Sequence, residues 1–110
     1  MFNLNEIALK VLFKKLENGG SLNMKIHGNS MYPLLSDGDH FDVLVYPFDL
    51  LVVGDIVAYK KFRDHITVHR IVEIFKDDAQ TLLHTKGYNN LIADAYFVCK
   101  NEFWGKVFIK

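Results

Sequence analysis

The chain has 110 residues, half of them apolar, which suits one domain with one hydrophobic core. Its 13 basic and 13 acidic side chains cancel, which removes the electrostatic footprint of a nucleic-acid binder and the polybasic anchor of a membrane-surface protein. No stretch approaches the roughly 20 apolar residues of a membrane span, the start lacks a secretory-signal pattern, and one cysteine excludes an internal disulfide; a cytoplasmic location is expected, with any membrane work reached through a partner.

Asn3 as N-cap with Glu6 three residues on predicts a helix over residues 3–18. Ile7, Val11 and Leu12 recur at helical spacing with Ala8 and Leu16 on the same side, while Lys10, Lys14, Lys15 and Glu17 fall mostly opposite. That stripe is expected to pack on the core; the alternative use of such a face is to dock a partner. Gly19-Gly20 ends the helix, one of the pair in a left-handed conformation. The period then changes to two, and strands are predicted over 21–27, 41–46, 55–62, 66–75 and 81–85, with short closing strands at 97–98 and 104–109. Pro47, Asp64, Asp77-Asp78 and the 87–90 loop punctuate them. The fold class is therefore mainly β: a curled antiparallel or mixed sheet forming a partial barrel, with one N-terminal amphipathic helix and a β core over residues 22–110 of a single 1–110 domain.

Gly28-Asn29-Ser30-Met31-Tyr32-Pro33 places a hydroxyl in a tight turn, between a glycine that lets the backbone bend and a proline that sets φ. A serine hydroxyl becomes a nucleophile only when a base takes its proton. His69, inside the strand pattern Ile66-Thr67-Val68-His69-Arg70-Ile71-Val72, is the candidate base, because imidazole exchanges protons near neutral pH and a strand holds it rigidly. Asp94 is the candidate that orients the ring and stabilises the imidazolium. Arg70 is read as a structural anchor pairing with a carboxylate such as Asp37 or Asp39, and those two aspartates as turn residues making structural hydrogen bonds. Cys99 lies in an apolar run and reads as a small buried residue. No metal site is expected: His65 and His69 stand roughly 13 Å apart along an extended strand, too far for one zinc ion.

The serine box, with Asp37-Gly38-Asp39 after it, resembles the nucleophile box of type I signal peptidases and LexA-like self-cleaving proteins. Gly54-Asp55-Ile56-Val57-Ala58-Tyr59 resembles their next box, and Trp104-Gly105-Lys106-Val107 the closing strand. Where the bacterial enzymes carry a lysine before an arginine, this chain has His69-Arg70, which resembles the histidine branch found in archaea, endospore formers and the endoplasmic reticulum. Thr85-Lys86-Gly87-Tyr88-Asn89-Asn90 is similar to that branch's Thr-Lys-Gly-Asp-Asn-Asn run, and Asp94 falls at its catalytic aspartate; Tyr88 departs from the pattern. The likeness covers roughly residues 22–110.

The resemblance implies a soluble serine endopeptidase that cleaves a leader or precursor peptide by acyl transfer. Ser30 would attack, His69 would carry the proton and Asp94 would orient it, with no cofactor. Main-chain N–H groups of the turn, those of Ser30 and Met31, would form the oxyanion hole; Gly28 stands where some relatives supply an extra hydroxyl, so a slow enzyme is expected. Met31, Pro33 and Leu34 would line the substrate pocket, and an extended peptide or protein substrate would bind by strand addition, delivered by a helper protein. In this chain the amphipathic helix stands where such enzymes have a membrane-spanning helix. The alternative is a non-catalytic peptide-binding or regulatory module that keeps the fold. Self-cleavage in the LexA manner lacks an obvious small-residue dipeptide ahead of the core.

Overall fold

The structure, a computed structural model, describes residues 6–62 and 65–109. The expected cap at Asn3 and the expected turn at Asp64 lie outside the described residues. A helix α1 (Glu6–Gly19) is followed by strands β1 (Ser21–Lys25), β2 (His40–Leu44), β3 (Ile56–Tyr59), β4 (Thr67–Lys76), β5 (Thr81–Lys86), β6 (Phe97–Val98) and β7 (Phe103–Phe108). Two single-turn 3-10 helices, Phe48–Leu50 and Lys100–Glu102, interrupt the connections and were not foreseen from the sequence.

The seven strands form one open sheet in the order β1-β2-β7-β3-β4-β5-β6, every ladder antiparallel. Expected and observed strands coincide to within a few residues because alternation and turn residues are local signals. Register shifts at Ala58/Tyr59 and between Ile71 and Glu73 add twist and curl the sheet. β7 lies between β2 and β3, so the end of the chain closes the middle of the sheet. Among the described residues no helix is long and apolar enough to cross a membrane.

The curl divides the one core expected from composition into two clusters. Met31, Leu35, Phe41, Val43, Ala58, Val68 and Trp104 pack with the helix on one side; Phe48, Leu51, Val57, Tyr59, Ile71, Leu83 and Val98 pack on the other. Successive β3 residues alternate between the two, which is why Ile56-Val57-Ala58-Tyr59 reads as an unbroken apolar run.

The helix is rotated from the face expected: Leu12 and Leu16 turn inward as foreseen, but Ile7 and Val11 do not. Ile7 and Val11 are 75% and 61% exposed, while Leu9 and Leu16 are buried, Leu12 and Phe13 partly so. Leu9, Leu12, Phe13 and Leu16 follow i, i+3, i+4, i+7 spacing, bury more apolar volume, and seat Phe13 edge-on to Trp104 at 5.2 Å between centroids. The helix ends as expected: Gly20 has φ +75° and its N–H donates to the Leu16 carbonyl at 2.8 Å.

Cys99 is not the fully buried apolar filler expected. It is half-buried and caps the second 3-10 helix: its thiol donates to Asn101 Oδ1 at 2.6 Å and to Glu102 Oε1 at 3.2 Å, and its N–H donates to Glu102 Oε1 at 3.0 Å. Burial first, and then Glu102, push the thiol pKa up, which disfavours a thiolate. For Glu102, burial acts to raise the pKa, but the Cys99 N–H and thiol and the Lys61 ammonium at 3.1 Å outweigh it and hold the carboxyl below its ordinary value of 4.5. A depressed carboxyl stabilises the fold above its ordinary pKa and loses that contribution as pH falls through the depressed value. Glu102→Gln should therefore cost about 1 kcal/mol at pH 7. The gap between its melting temperature and that of the unsubstituted protein should close below pH 4.5. A gap of constant size in thermal melts at pH 7 and pH 3 would contradict this account.

Candidate active site

The turn that carries Ser30 is built by its neighbours in sequence. Gly28 has φ +88°, a conformation side chains rarely adopt, and its N–H donates to the Asp37 carboxylate at 2.7 Å. The Asp39 carboxylate accepts the Ser36 N–H at 2.8 Å. Both aspartates thus make the structural hydrogen bonds expected of them. Between Gly28 and Ser36 the chain makes a tight turn, with the Tyr32 N–H on the Asn29 carbonyl and the Leu35 N–H on the Met31 carbonyl, anchored by the buried Met31 and Leu35.

His69 stands on β4 opposite Val57 of β3, 8% exposed, with the Tyr59 ring edge-on at 6.4 Å. Asp94 follows β5 and is clamped to it. Its N–H donates to the Thr85 carbonyl at 2.9 Å, and its carbonyl accepts from His84 Nε2 at 2.9 Å. These bonds aim the carboxylate inward. Its Oδ2 accepts the His69 Nδ1–H at 2.7 Å, the Thr85 hydroxyl at 2.7 Å and the Tyr59 hydroxyl at 3.3 Å. A carboxylate only accepts hydrogen bonds, so Nδ1 carries a proton, and in the neutral ring Nε2 keeps its lone pair.

A second layer of hydroxyls supports Asp94. Burial drives the Tyr59 phenol far above its ordinary pKa, so it stays a donor. Its hydroxyl also meets the Tyr96 hydroxyl at 2.8 Å and Thr85 Oγ1 at 3.1 Å. Tyr59, Thr85 and Tyr96 were not singled out in the sequence as site residues. The available signal was a hydroxyl inside a buried strand: Thr85 is fully buried and Tyr59 likewise, and such groups need partners.

The serine turn and the 87–90 loop are tied together. The Asn89 N–H donates to the Ser30 carbonyl at 2.7 Å, Asn89 Nδ2 to the Asn29 carbonyl at 3.2 Å, and the Tyr88 N–H to Met31 Sδ at 3.4 Å. The register continues this link to His69. Arg70 pairs with Lys86, so the next positions outward are His69 and Gly87. Gly87 shares the sheet face of Thr85 by alternation, and a Cβ there would stand 2.9 Å from the Ser30 carbonyl oxygen. The Ser30 main chain thus rests on Gly87, on the face that bears Thr85 and the His69–Asp94 pair. Among the described residues, no hydrogen bond joins the Ser30 hydroxyl to the imidazole.

Other expected site residues divide. Pro33 and Leu34 are exposed on the turn, where a bound chain can reach them. Met31 is fully buried, so it forms neither a substrate wall nor a presented oxyanion donor: its side chain fills the core below the turn. Among the described residues the Ser30 N–H has no protein acceptor, which leaves that donor available. Arg70 pairs with neither Asp37 nor Asp39. It is exposed and lies over the Tyr88 ring at 6.0 Å, since the turn consumes both carboxylates locally.

Gly87→Ala tests the seating of the serine turn. The added methyl would meet Asn90 Nδ2 at 2.5 Å, which can swing away, and the Ser30 carbonyl at 2.9 Å, which moves only with the turn. The fold should survive, while any activity at Ser30 falls at least about tenfold from misplacement of order 1 Å. Wild-type activity in a folded Gly87→Ala protein would contradict this placement.

A scan against protein-family models finds no match, and no curated protein matches the chain.

Proposed function

We propose that this protein is a serine endopeptidase of the signal-peptidase kind, acting on a leader or precursor peptide through Ser30, His69 and Asp94. The observation that carries this reading is the three-donor arrangement on Asp94 Oδ2, which leaves His69 Nε2 as a proton acceptor on the sheet face where the Ser30 turn is seated. In the reaction, Ser30 Oγ adds to the peptide carbonyl as Nε2 takes its proton. The imidazolium, stabilised by Asp94, returns that proton to the leaving amine, and water then releases the acyl group by the same relay. The unpartnered Ser30 N–H supports the carbonyl oxygen as it becomes negative. The substrate lies extended; β1 is an edge strand that runs directly into the serine turn, which suits strand addition.

The test is incubation with candidate precursor peptides and detection of fragments by mass spectrometry, beside Ser30→Ala and His69→Ala. Cleavage abolished by both substitutions supports the reading, and cleavage that persists in Ser30→Ala overturns it. One observation favours the second reading, a peptide-binding module without catalysis: the Ser30 hydroxyl and the imidazole are not hydrogen-bonded. That module would bind the same peptides and release them intact.

A further inference from the structure

We propose that the groove between α1 and the sheet docks an acidic amphipathic segment of another polypeptide, a site separate from Ser30 and independent of whether Ser30 cleaves anything. The groove has a volume of about 770 Å³, and its helical wall runs from Ile7 to Glu17, with Lys60, Asn101 and Trp104 opposite. At 1.5 Å per residue that wall is roughly 15 Å long, enough for about three turns of a partner helix.

Its chemistry follows from the rotation of the helix. By seating Leu9, Leu12, Phe13 and Leu16, α1 leaves Ile7 and Val11 outward, one turn apart on the groove. The same groove gathers the ammonium groups of Lys10, Lys14 and Lys60 against one carboxylate, Glu17. Among the described residues none of these lysines makes an ion pair, whereas Lys61 and Lys106 are paired with Glu102 and Asp55. A chain of balanced charge thus holds a local cationic excess beside exposed apolar side chains. The complementary occupant carries apolar residues at helical spacing and acidic residues between them. Apolar contact would supply most of the affinity and charge most of the selectivity. A bilayer fits poorly, because the groove is walled on both sides. Nucleic acid fits poorly too, because the one tryptophan in the groove is only 8% exposed and offers no stacking platform.

Trp104, the only tryptophan of the chain, lines this groove, so its fluorescence responds to an occupant there. Two synthetic peptides with the same helically spaced leucines, one with glutamates between them and one with lysines, would be titrated into the full chain. The glutamate peptide is expected to shift Trp104 emission and to bind at least about tenfold more tightly than the lysine peptide, a difference that shrinks with added salt. The triple variant K10E, K14E, K60E should reverse the preference with unchanged circular dichroism, and Ser30→Ala should bind like the unsubstituted protein. Equal affinities, an unmoved Trp104 signal, or retained preference in the triple variant would overturn the proposal. So would sedimentation showing that a second copy of the chain occupies the groove and blocks peptide binding.

Discussion

On the proposed peptidase reading, replacing Asp94 by asparagine is expected to lower kcat/KM for peptide cleavage by about 10⁴-fold while the fold persists. The reason lies in the donors that converge on one oxygen. Thr85 and His69 approach Asp94 Oδ2 at 2.7 Å and Tyr59 at 3.3 Å. If the new amide turns its nitrogen to that position, it donates to His69 Nδ1. The ring must then carry its proton on Nε2, where it can no longer accept from Ser30. If it turns its oxygen there, the tautomer survives, but the imidazolium formed during attack has lost its counter-charge. Both outcomes act on the transition state, so KM should change little. The lost charge-assisted bonds should cost about 2 kcal/mol of stability, which steady-state kinetics and a parallel thermal melt would separate. Cleavage at the unsubstituted rate would remove Asp94 from the mechanism.

The second large effect concerns the fold. Gly105→Ala should lower stability by about 3 kcal/mol or more, the upper part of the range for overpacking, and the melting temperature by about 10–20 °C. Gly105 lies on β7 opposite Ala58 of β3, with β2 on its other side. A methyl group there would overlap the Leu44 carbonyl oxygen and stand 2.7 Å from Val43 Cγ1. Leu44 cannot retreat, because it is paired with Ser21 of β1 and Lys106 of β7. The two sides of the sheet would have to part at β2–β7, the ladder that joins them. Gly19→Ala is the control: nothing stands within 4 Å of its Cβ position, so its melt should stay close to that of the unsubstituted protein. Equal melting temperatures for the two variants would refute the steric account.

Strand positions, the helix end at Gly20 and the turn aspartates could be read in the sequence because each depends on residues only a few positions apart. Asp37 and Asp39 bond to N–H groups of their own turn, as turn aspartates do. The same locality misled the reading of Arg70, which was assigned to those carboxylates although the turn had already consumed them. The helix shows where local pattern becomes ambiguous. The expected stripe of Ile7, Ala8, Val11, Leu12 and Leu16 and the observed one of Leu9, Leu12, Phe13 and Leu16 both have helical spacing; the second is buried because Phe13 finds Trp104, 91 positions away along the chain.

Met31 belongs to the same class. Its neighbours suggested a surface wall, but the 87–90 loop and the first core cluster close over it. By itself the sequence determined the β-rich class and the strand positions to within a few residues, and it supplied the three residues of the candidate relay, since alternation and turn chemistry act over a few bonds. Only the tertiary structure decided which side of the helix meets solvent, which hydroxyls brace Asp94 and which glycines must lack a side chain. Those outcomes depend on how segments distant in the chain share one packed space, and no local periodicity encodes that.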